Sequence, residues 1–352
     1  MKVPTDFLTG VVEGFYGRSW SFDTRLAYAD YLGEAGLNTF LYCPKGDPYL
    51  RRRWQDDWPA PIWNELLQLS SAYRRRGINW GVGLSPVELY RKYGISQRDQ
   101  LRRKVERLGE LATPIMAILF DDMPGDMDTL ASRQAEIVAD VYQWAPDIRV
   151  LVCPTYYSFD PLLEQYFGQM PQKYWEQLGR ELPVDTEIFW TGNKVCSQTI
   201  DVGDIKDINQ RLGRPVMLWD NYPVNDGAVR SNFLYISKLS GRLPALRPLI
   251  RGHLCNPMNQ GILSLPALSG LAELYGNGGF DAAALSRILG PLTWERLSRD
   301  RRVFELEGLS GLGEARCRQL ASEYGDLPGA CAQEITQWLR GEYSFDPACL
   351  TV

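Results

Sequence analysis

Two aspartates stand side by side at Asp121-Asp122, directly after the apolar run Ala117-Ile118-Leu119-Phe120 and just before Met123-Pro124-Gly125. Carboxyl groups so placed can exchange protons with a reacting bond or hold a cation. The four aspartates within 121–128 favour the second reading at first sight. A calcium loop, however, needs acids at alternating positions, glycine at the sixth and glutamate at the twelfth, and Pro124 and Gly125 break that spacing. For acid–base work both side chains must enter one pocket. Neighbours in a regular strand face opposite sides, so the chain has to turn or bulge where the strand ends. Met123-Pro124-Gly125 is the segment expected to make that turn. The plainer alternative has one acid capping a helix and the other in solvent.

Such a site needs elements that end together. Short β-rich runs occur at 8–16, 37–44, 78–86, 115–123, 148–155, 186–192, 215–221 and 250–257. Helical patterns fall near 22–33, 61–76, 98–111, 128–144, 172–181, 202–212, 231–240 and 265–275, with Ser21 placed as a start signal and Gly36, Gly77 and Gly213 as stops. Eight successive β-then-α units predict an α/β fold, a closed (β/α)8 TIM barrel over 1–276. The rival is a doubly wound nucleotide-binding sheet. It lacks its phosphate loop here, because Gly81-Val82-Gly83 lies inside a run and opens no helix. After Gly276-Asn277-Gly278-Gly279 the composition turns to Arg, Glu and Leu, which predicts a small α-helical C-terminal region over 277–352. Its Gly308-Leu309-Ser310-Gly311 stretch resembles a helix-hairpin-helix DNA element, though a capped helix pair packed on the barrel explains the same glycines.

In a barrel the chemistry sits where strands end. Those ends are polar: Gly14-Phe15-Tyr16-Gly17, Pro44-Lys45-Gly46-Asp47, Ser85-Pro86, Asp121-Asp122, Tyr156-Tyr157, Thr191-Gly192-Asn193-Lys194, Trp219-Asp220-Asn221 and Asn256-Pro257. Aromatic rings beside amides and carboxylates suit a sugar, whose hydroxyls need donors and acceptors while its C–H face packs on a ring. Two-carboxylate glycosidases set their acids about 5 to 9.5 Å apart on opposite sides of the bond. Consecutive residues suit another route better, in which one acid protonates the leaving oxygen and the other holds a 2-acetamido group whose own carbonyl attacks.

Composition removes other classes. A net charge of -5 gives no global positive field for nucleic acid or an anionic membrane, and the triplets Arg51-Arg52-Arg53 and Arg74-Arg75-Arg76 read as solvated faces. The chain contains one histidine, His253, and seven cysteines without CxxC spacing. A zinc site or a histidine-assisted nucleophile is therefore not expected, and His253 reads as a packed or surface strand residue. Reduced, buried cysteines, the lack of an apolar leader, and no apolar stretch near about 18 residues predict a soluble cytoplasmic protein that does not span a membrane.

Longer motifs carry a resemblance. GVVEGFYGRSW at 10–20, LNTFLYCPKGDPY at 37–49, LFDDM at 119–123, CPTYY at 153–157, WTGNKV at 190–195, WDNYPVNDG at 219–227 and NPMNQ at 256–260 follow one another in order. With these, residues 8–275 resemble the family 84 glycoside hydrolases, the O-GlcNAcases and their bacterial relatives. The resemblance implies a retaining, substrate-assisted exo-β-N-acetylglucosaminidase acting on β-N-acetylglucosaminyl conjugates, without a metal or organic cofactor. It implies that Asp121 orients the acetamido N–H, that Asp122 is the acid and then the base, and that Tyr157 meets the attacking carbonyl. Gly14, Lys45, Asn221, Asp226 and Asn256 would bind hydroxyls, with Trp219 and Val195 walling the acetamido group. The chain lacks the long helical insertions of many members. A hexosaminidase or hyaluronidase-like enzyme on another N-acetylhexosamine glycan fits the same residues, and a sugar-binding pseudoenzyme is the non-enzymatic reading.

Overall fold

A computed structural model describes residues 7–351. Eight parallel strands, β1 (Leu8–Glu13), β2 (Thr39–Tyr42), β3 (Asn79–Leu84), β4 (Ile115–Leu119), β5 (Arg149–Cys153), β6 (Glu187–Trp190), β7 (Val216–Asp220) and β8 (Ile250–Cys255), pair in sequence order, and β8 returns to β1 to close the barrel. Each strand is buried almost throughout. A parallel sheet covered on both faces has no solvent side, so its strands read as continuous apolar runs rather than alternating ones. Close packing sets some residue types outright: a Cβ on Gly83 would lie 2.5 Å from the Cβ of Cys43 on the neighbouring strand. The glycines of β3 thus serve barrel packing, not phosphate binding.

Helices α1 (Phe22–Ala35), α2 (Ala60–Arg75), α3 (Ile95–Gly109), α4 (Leu130–Trp144), α5 (Leu162–Phe167), α6 (Tyr174–Glu181), α7 (Val202–Leu212) and α8 (Leu265–Leu274) follow the strands, with two between β5 and β6 and no α-helix between β7 and β8. The expected start at Ser21 forms, its hydroxyl accepting the Thr24 N–H, and α1 and α7 end on left-handed Gly36 and Gly213. The expected helix over 231–240 does not form. That stretch is extended between short 3-10 turns, and its freed Ile236 and Ser237 N–H groups donate to the Glu305 carboxylate. A side chain from outside the segment replaces the internal ladder that a helix would have used.

Glu305 belongs to α10 (Pro291–Leu306), which with α9 (Ala282–Leu289), α11 (Gly308–Gly325) and α12 (Ala330–Leu339) lies after the barrel strands. These helices pack on the barrel's loops: Glu334 accepts the N–H groups of Ile262 and Leu263, and Trp338 Nε1 donates to the Ser231 carbonyl. The glycine-rich stretch at 308–313 forms the start of α11 and its kink at Gly313. Among the described residues no helix is long and apolar enough to cross a membrane.

Below the strand ends, Asp220 is buried with Arg242 and His253. Arg242 donates through Nε at 2.7 Å and Nη2 at 2.6 Å, and His253 Nε2 lies 2.9 Å from the same carboxylate. His253 is thus a packed core residue, and its other nitrogen meets the Tyr275 hydroxyl. Arg242 and His253 hold the Asp220 carboxyl down at about 2 against the opposing effect of burial. The folded value lies below the ordinary one, so the stabilisation is complete above pH about 4 and is lost as pH falls through about 2. Asp220→Ala, which leaves the Arg242 guanidinium buried without its carboxylate, is expected to cost about 3–5 kcal/mol in urea denaturation at neutral pH. A loss under about 1 kcal/mol would show that the pair is not structurally required.

Candidate active site at the strand ends

The chain leaves β4 at Leu119 and changes direction at the acids themselves. Phe120 still bonds the Cys153 carbonyl, whereas Asp122 adopts φ 57°, a left-handed conformation uncommon outside glycine that aspartate tolerates better than most residues. The reversal therefore lies at Asp122, one step before the Met123-Pro124-Gly125 segment expected to make it. Pro124 and Gly125 anchor the outgoing chain: the Gly125 N–H bonds the Phe167 carbonyl at 2.6 Å, and Tyr90 donates to the Pro124 carbonyl. Because of this turn both carboxyl groups line one pocket.

The two acids have different partners. Lys45, just beyond β2, forms a buried ion pair with Asp121 Oδ2, while Asp121 Oδ1 is buried with no hydrogen-bond partner among the described residues. Asp122 receives neutral hydroxyls, Tyr16 on Oδ2 at 2.8 Å and Tyr157 on Oδ1 at 3.1 Å. Burial and then the adjacent Asp121 push the Asp122 carboxyl up from its ordinary range, against Lys45, Arg51 and the Tyr16 hydrogen bond. Asp121 is ion-paired directly, whereas Asp122 bonds hydroxyls and feels Lys45 and Arg51 only through space. This is the division that separates a charged acceptor from a proton donor.

The opposite wall is a chain of amides. The Gly14 N–H donates to Asn256 Oδ1 at 3.2 Å, Asn256 Nδ2 to Asn221 Oδ1 at 2.9 Å, and Asn221 Nδ2 to the Val195 carbonyl at 2.8 Å. Trp219 Nε1 also donates to Asn221 Oδ1, at 3.0 Å. A Cβ on Gly14 would lie 2.2 Å from the Trp219 ring, so only glycine allows that ring against the β1 end. Asp226 accepts the Tyr16 N–H at 2.7 Å, and burial pushes its carboxyl up to about 6. Gly14, Lys45, Asp121, Asp122, Tyr157, Val195, Trp219, Asn221, Asp226 and Asn256 all line this single pocket.

Other polar strand ends do structural work. Asp47 is held by Tyr42 and Trp58, the Tyr156 hydroxyl bonds the Gly168 carbonyl, and Lys194 pairs outward with Asp160 at 3.4 Å. Asp160 also accepts the Val195 N–H at 3.1 Å and so fixes that pocket wall. Among the described residues, one His/Cys/Asp/Glu cluster is close enough to hold a metal: Asp220, His253 and Cys255. It is a poor fit for a cation, because Arg242 already engages both Asp220 oxygens.

Four contributors are not evident from the sequence. Tyr16 sits within the Gly14–Gly17 strand end, but the acid that its hydroxyl meets, Asp122, is distant in the sequence, so only its place on the rim signals it. Arg51 read as part of a solvated triplet. Arg52 and Arg53 are exposed, but Arg51 folds inward, bonding the Ser85 hydroxyl at 3.1 Å and the Asp122 carbonyl at 3.3 Å, with its guanidinium 5.7 Å from the Tyr16 ring centre. A tight turn after Pro48, in which the Arg51 and Arg53 N–H groups both bond the Pro48 carbonyl, separates the three. Composition does not show that turn. Cys349 and Thr351, near the C-terminus, also line the pocket.

A model of the β-N-acetylglucosaminidase family matches residues 9–284. The chain belongs to this family of glycoside hydrolases. It is 31% identical over 278 residues to the Protein O-GlcNAcase of Rattus norvegicus, and equally to that of Mus musculus. These alignments cover 76% of this chain and 30% of each relative, so the chain matches under a third of their length. Among solved structures, a mutant of the Thermobaculum terrenum O-GlcNAc hydrolase superposes with a TM-score of 0.76 at 26% identity, covering 96% of this chain and 81% of that one.

Since the Tyr16 hydrogen bond opposes the rise of the Asp122 carboxyl, Tyr16→Phe is expected to move the Asp122 titration further up. Carbon NMR of labelled aspartate reads this directly. A downward shift would mean that the hydroxyl does not donate to Asp122.

Proposed function

We propose that this chain is a retaining exo-β-N-acetylglucosaminidase that uses the substrate's own acetamido group as nucleophile. The observation that carries the reading is the inequality of the two adjacent acids in one pocket. Asp121 is paired with Lys45 yet keeps Oδ1 buried without a partner. A buried acceptor left unpaired costs about 1–3 kcal/mol, and an amide N–H from a ligand would remove that cost. Asp122, with its raised carboxyl, is suited to give up a proton.

In the first step the acetamido carbonyl oxygen bonds to the anomeric carbon while the glycosidic C–O bond breaks. The leaving oxygen takes the proton of Asp122. Asp121 accepts the acetamido N–H and balances the charge on the oxazoline that results. In the second step the Asp122 carboxylate removes a proton from water, the water oxygen bonds to the anomeric carbon, and the oxazoline reopens. Two inversions give retention. Tyr157 would move from Asp122 to the acetamido oxygen when substrate enters, and Gly14, Lys45, Asn221, Asp226 and Asn256 would hold sugar hydroxyls. The substrates would be β-N-acetylglucosaminyl conjugates such as glycopeptides or oligosaccharides, as the names of the relatives suggest.

Hydrolysis of an aryl β-N-acetylglucosaminide by the folded protein tests the activity, and its absence would leave a sugar-binding role. Asp122→Asn is expected to lose about 10²–10⁴-fold in rate on substrates with poor leaving groups and far less on activated aryl glycosides. Asp121→Asn should lose rate on both. Equal losses for the two variants across leaving groups would overturn the division of roles. An N-trifluoroacetyl substrate, with a weaker carbonyl nucleophile, should react much more slowly, and equal rates would rule out acetamido participation.

A further inference from the structure

Beyond α12 the chain doubles back toward the pocket. Gly341 takes φ 73°, the Glu342 N–H bonds the Gln337 carbonyl at 3.0 Å, and the Arg18 guanidinium lies 4.9 Å from the Tyr343 ring centre. Ser344 passes Gly17 at the end of the first strand-end loop. At Asp346 the chain turns: its Oδ1 accepts the Ala348 N–H and its carbonyl accepts the Cys349 N–H, both at 2.9 Å. Asp346 stands in the field of Arg51, the inward-folded arginine that also bonds the Asp122 carbonyl.

From that turn the side chains alternate. Cys349 and Thr351 are each 8% exposed, while Leu350 between them is 46% exposed. Alternation with period two is how an extended segment presents one face to a surface. Here the surface is the catalytic pocket, where Cys349 and Thr351 stand among Lys45, Asp122, Tyr157 and Asp226. The Cys349 thiol faces Asp226, and Thr351 lines the pocket beside the Tyr157 hydroxyl. The space left free is about 40 Å³. That is room for a few waters, each needing about 10–15 Å³ on this measure, and not for a pyranose ring with an acetamido arm.

We propose that residues 344–351 are a tethered plug of the sugar pocket, with Cys349 and Thr351 occupying the space of a bound N-acetylhexosamine, so that substrate binds only when this segment swings out. The inference rests on the sugar-site reading above. A plug that competes with substrate multiplies the apparent KM by the inverse of the open fraction, while a saturating substrate holds the tail out and kcat is unaffected. Its tether keeps it at high effective concentration, so each individual contact can be weak.

The test uses the full chain. Cys349→Asp sets a carboxylate beside Asp226 and Asp122, and Thr351→Asp sets one beside Tyr157 and Asp122. Both should expel the tail. The expected result is a fall of about tenfold in KM for an aryl β-N-acetylglucosaminide, with kcat unchanged, as for a tenfold rise in open fraction. An unchanged or higher KM in both variants would overturn the plug. Hydrogen exchange gives a reading independent of turnover. The amides of Ala348 and Cys349, which bond Asp346, should exchange more slowly in the parent than in both variants, and equal exchange in all three would also overturn it. Should neither parent nor variants hydrolyse the glycoside, the glycosidase reading falls, and the exchange comparison alone decides the plug.

Discussion

Two carboxyl groups on consecutive residues, both removed from water, repel each other, and much of the pocket is built to offset that repulsion. Lys45 brings a positive charge to Asp121 from the end of β2. Tyr16 and Tyr157 bring hydroxyls to Asp122 from the ends of β1 and β5, and Arg51 holds its carbonyl from the turn after Pro48. The compensation is uneven in kind: an ion pair for one carboxyl group, hydroxyls and more distant charges for the other. A symmetric environment would give both groups the same partners and no basis for different roles. The left-handed backbone at Asp122 is the local cost of having both groups in one pocket.

A parallel barrel makes that arrangement possible because every strand delivers its C-terminal end to the same rim. Precision along the rim comes from hydrogen bonds that cross between strands. The sequence Gly14, Asn256, Asn221, Val195 links β1, β8 and β7 to the loop after β6 through side-chain amides. One residue below Asn221, Asp220 ties β7 to His253 of β8 and, through Arg242, to the carbonyls of Ser197 and Gln198. Amide wall and buried ion pair therefore share a strand, so loosening the pair would displace the wall.

Legibility in the sequence depended on which interactions are local. All eight strands lie within their expected runs, because burial on both faces writes an uninterrupted apolar signal. Caps at Ser21, Gly36 and Gly213 are equally local. The acids, Lys45 and the amides were legible as polar residues breaking apolar runs at their ends. The illegible parts depend on distant partners. Residues 231–240 carry a helical pattern, yet Glu305, about 70 residues away along the chain, takes their N–H groups. Arg51 is distinguished from Arg52 and Arg53 only by a turn that folds it onto Tyr16. Cys349 and Thr351 lie over 120 residues beyond Asp226, in a segment without periodicity, so no motif connects them to the strand ends.

The pocket is already internally satisfied to a large degree, which constrains what can open it. Tyr157 serves Asp122, the amide wall bonds to itself, and Asp226 holds the Tyr16 N–H. A ligand entering must break some of these contacts, and the exchange is favourable only if it returns hydrogen bonds of equal quality in the same places. On the proposed reading, a sugar lacking the 2-acetamido group would displace the tail without supplying an N–H to Asp121 Oδ1, leaving that buried acceptor unpaired. Sites of this kind discriminate strongly, because the penalty falls on the protein's own polar atoms rather than on a missing contact. On the proposed mechanism, selectivity for an N-acetylated sugar and the division of labour between Asp121 and Asp122 would share one origin, in the acceptor that Lys45 leaves open.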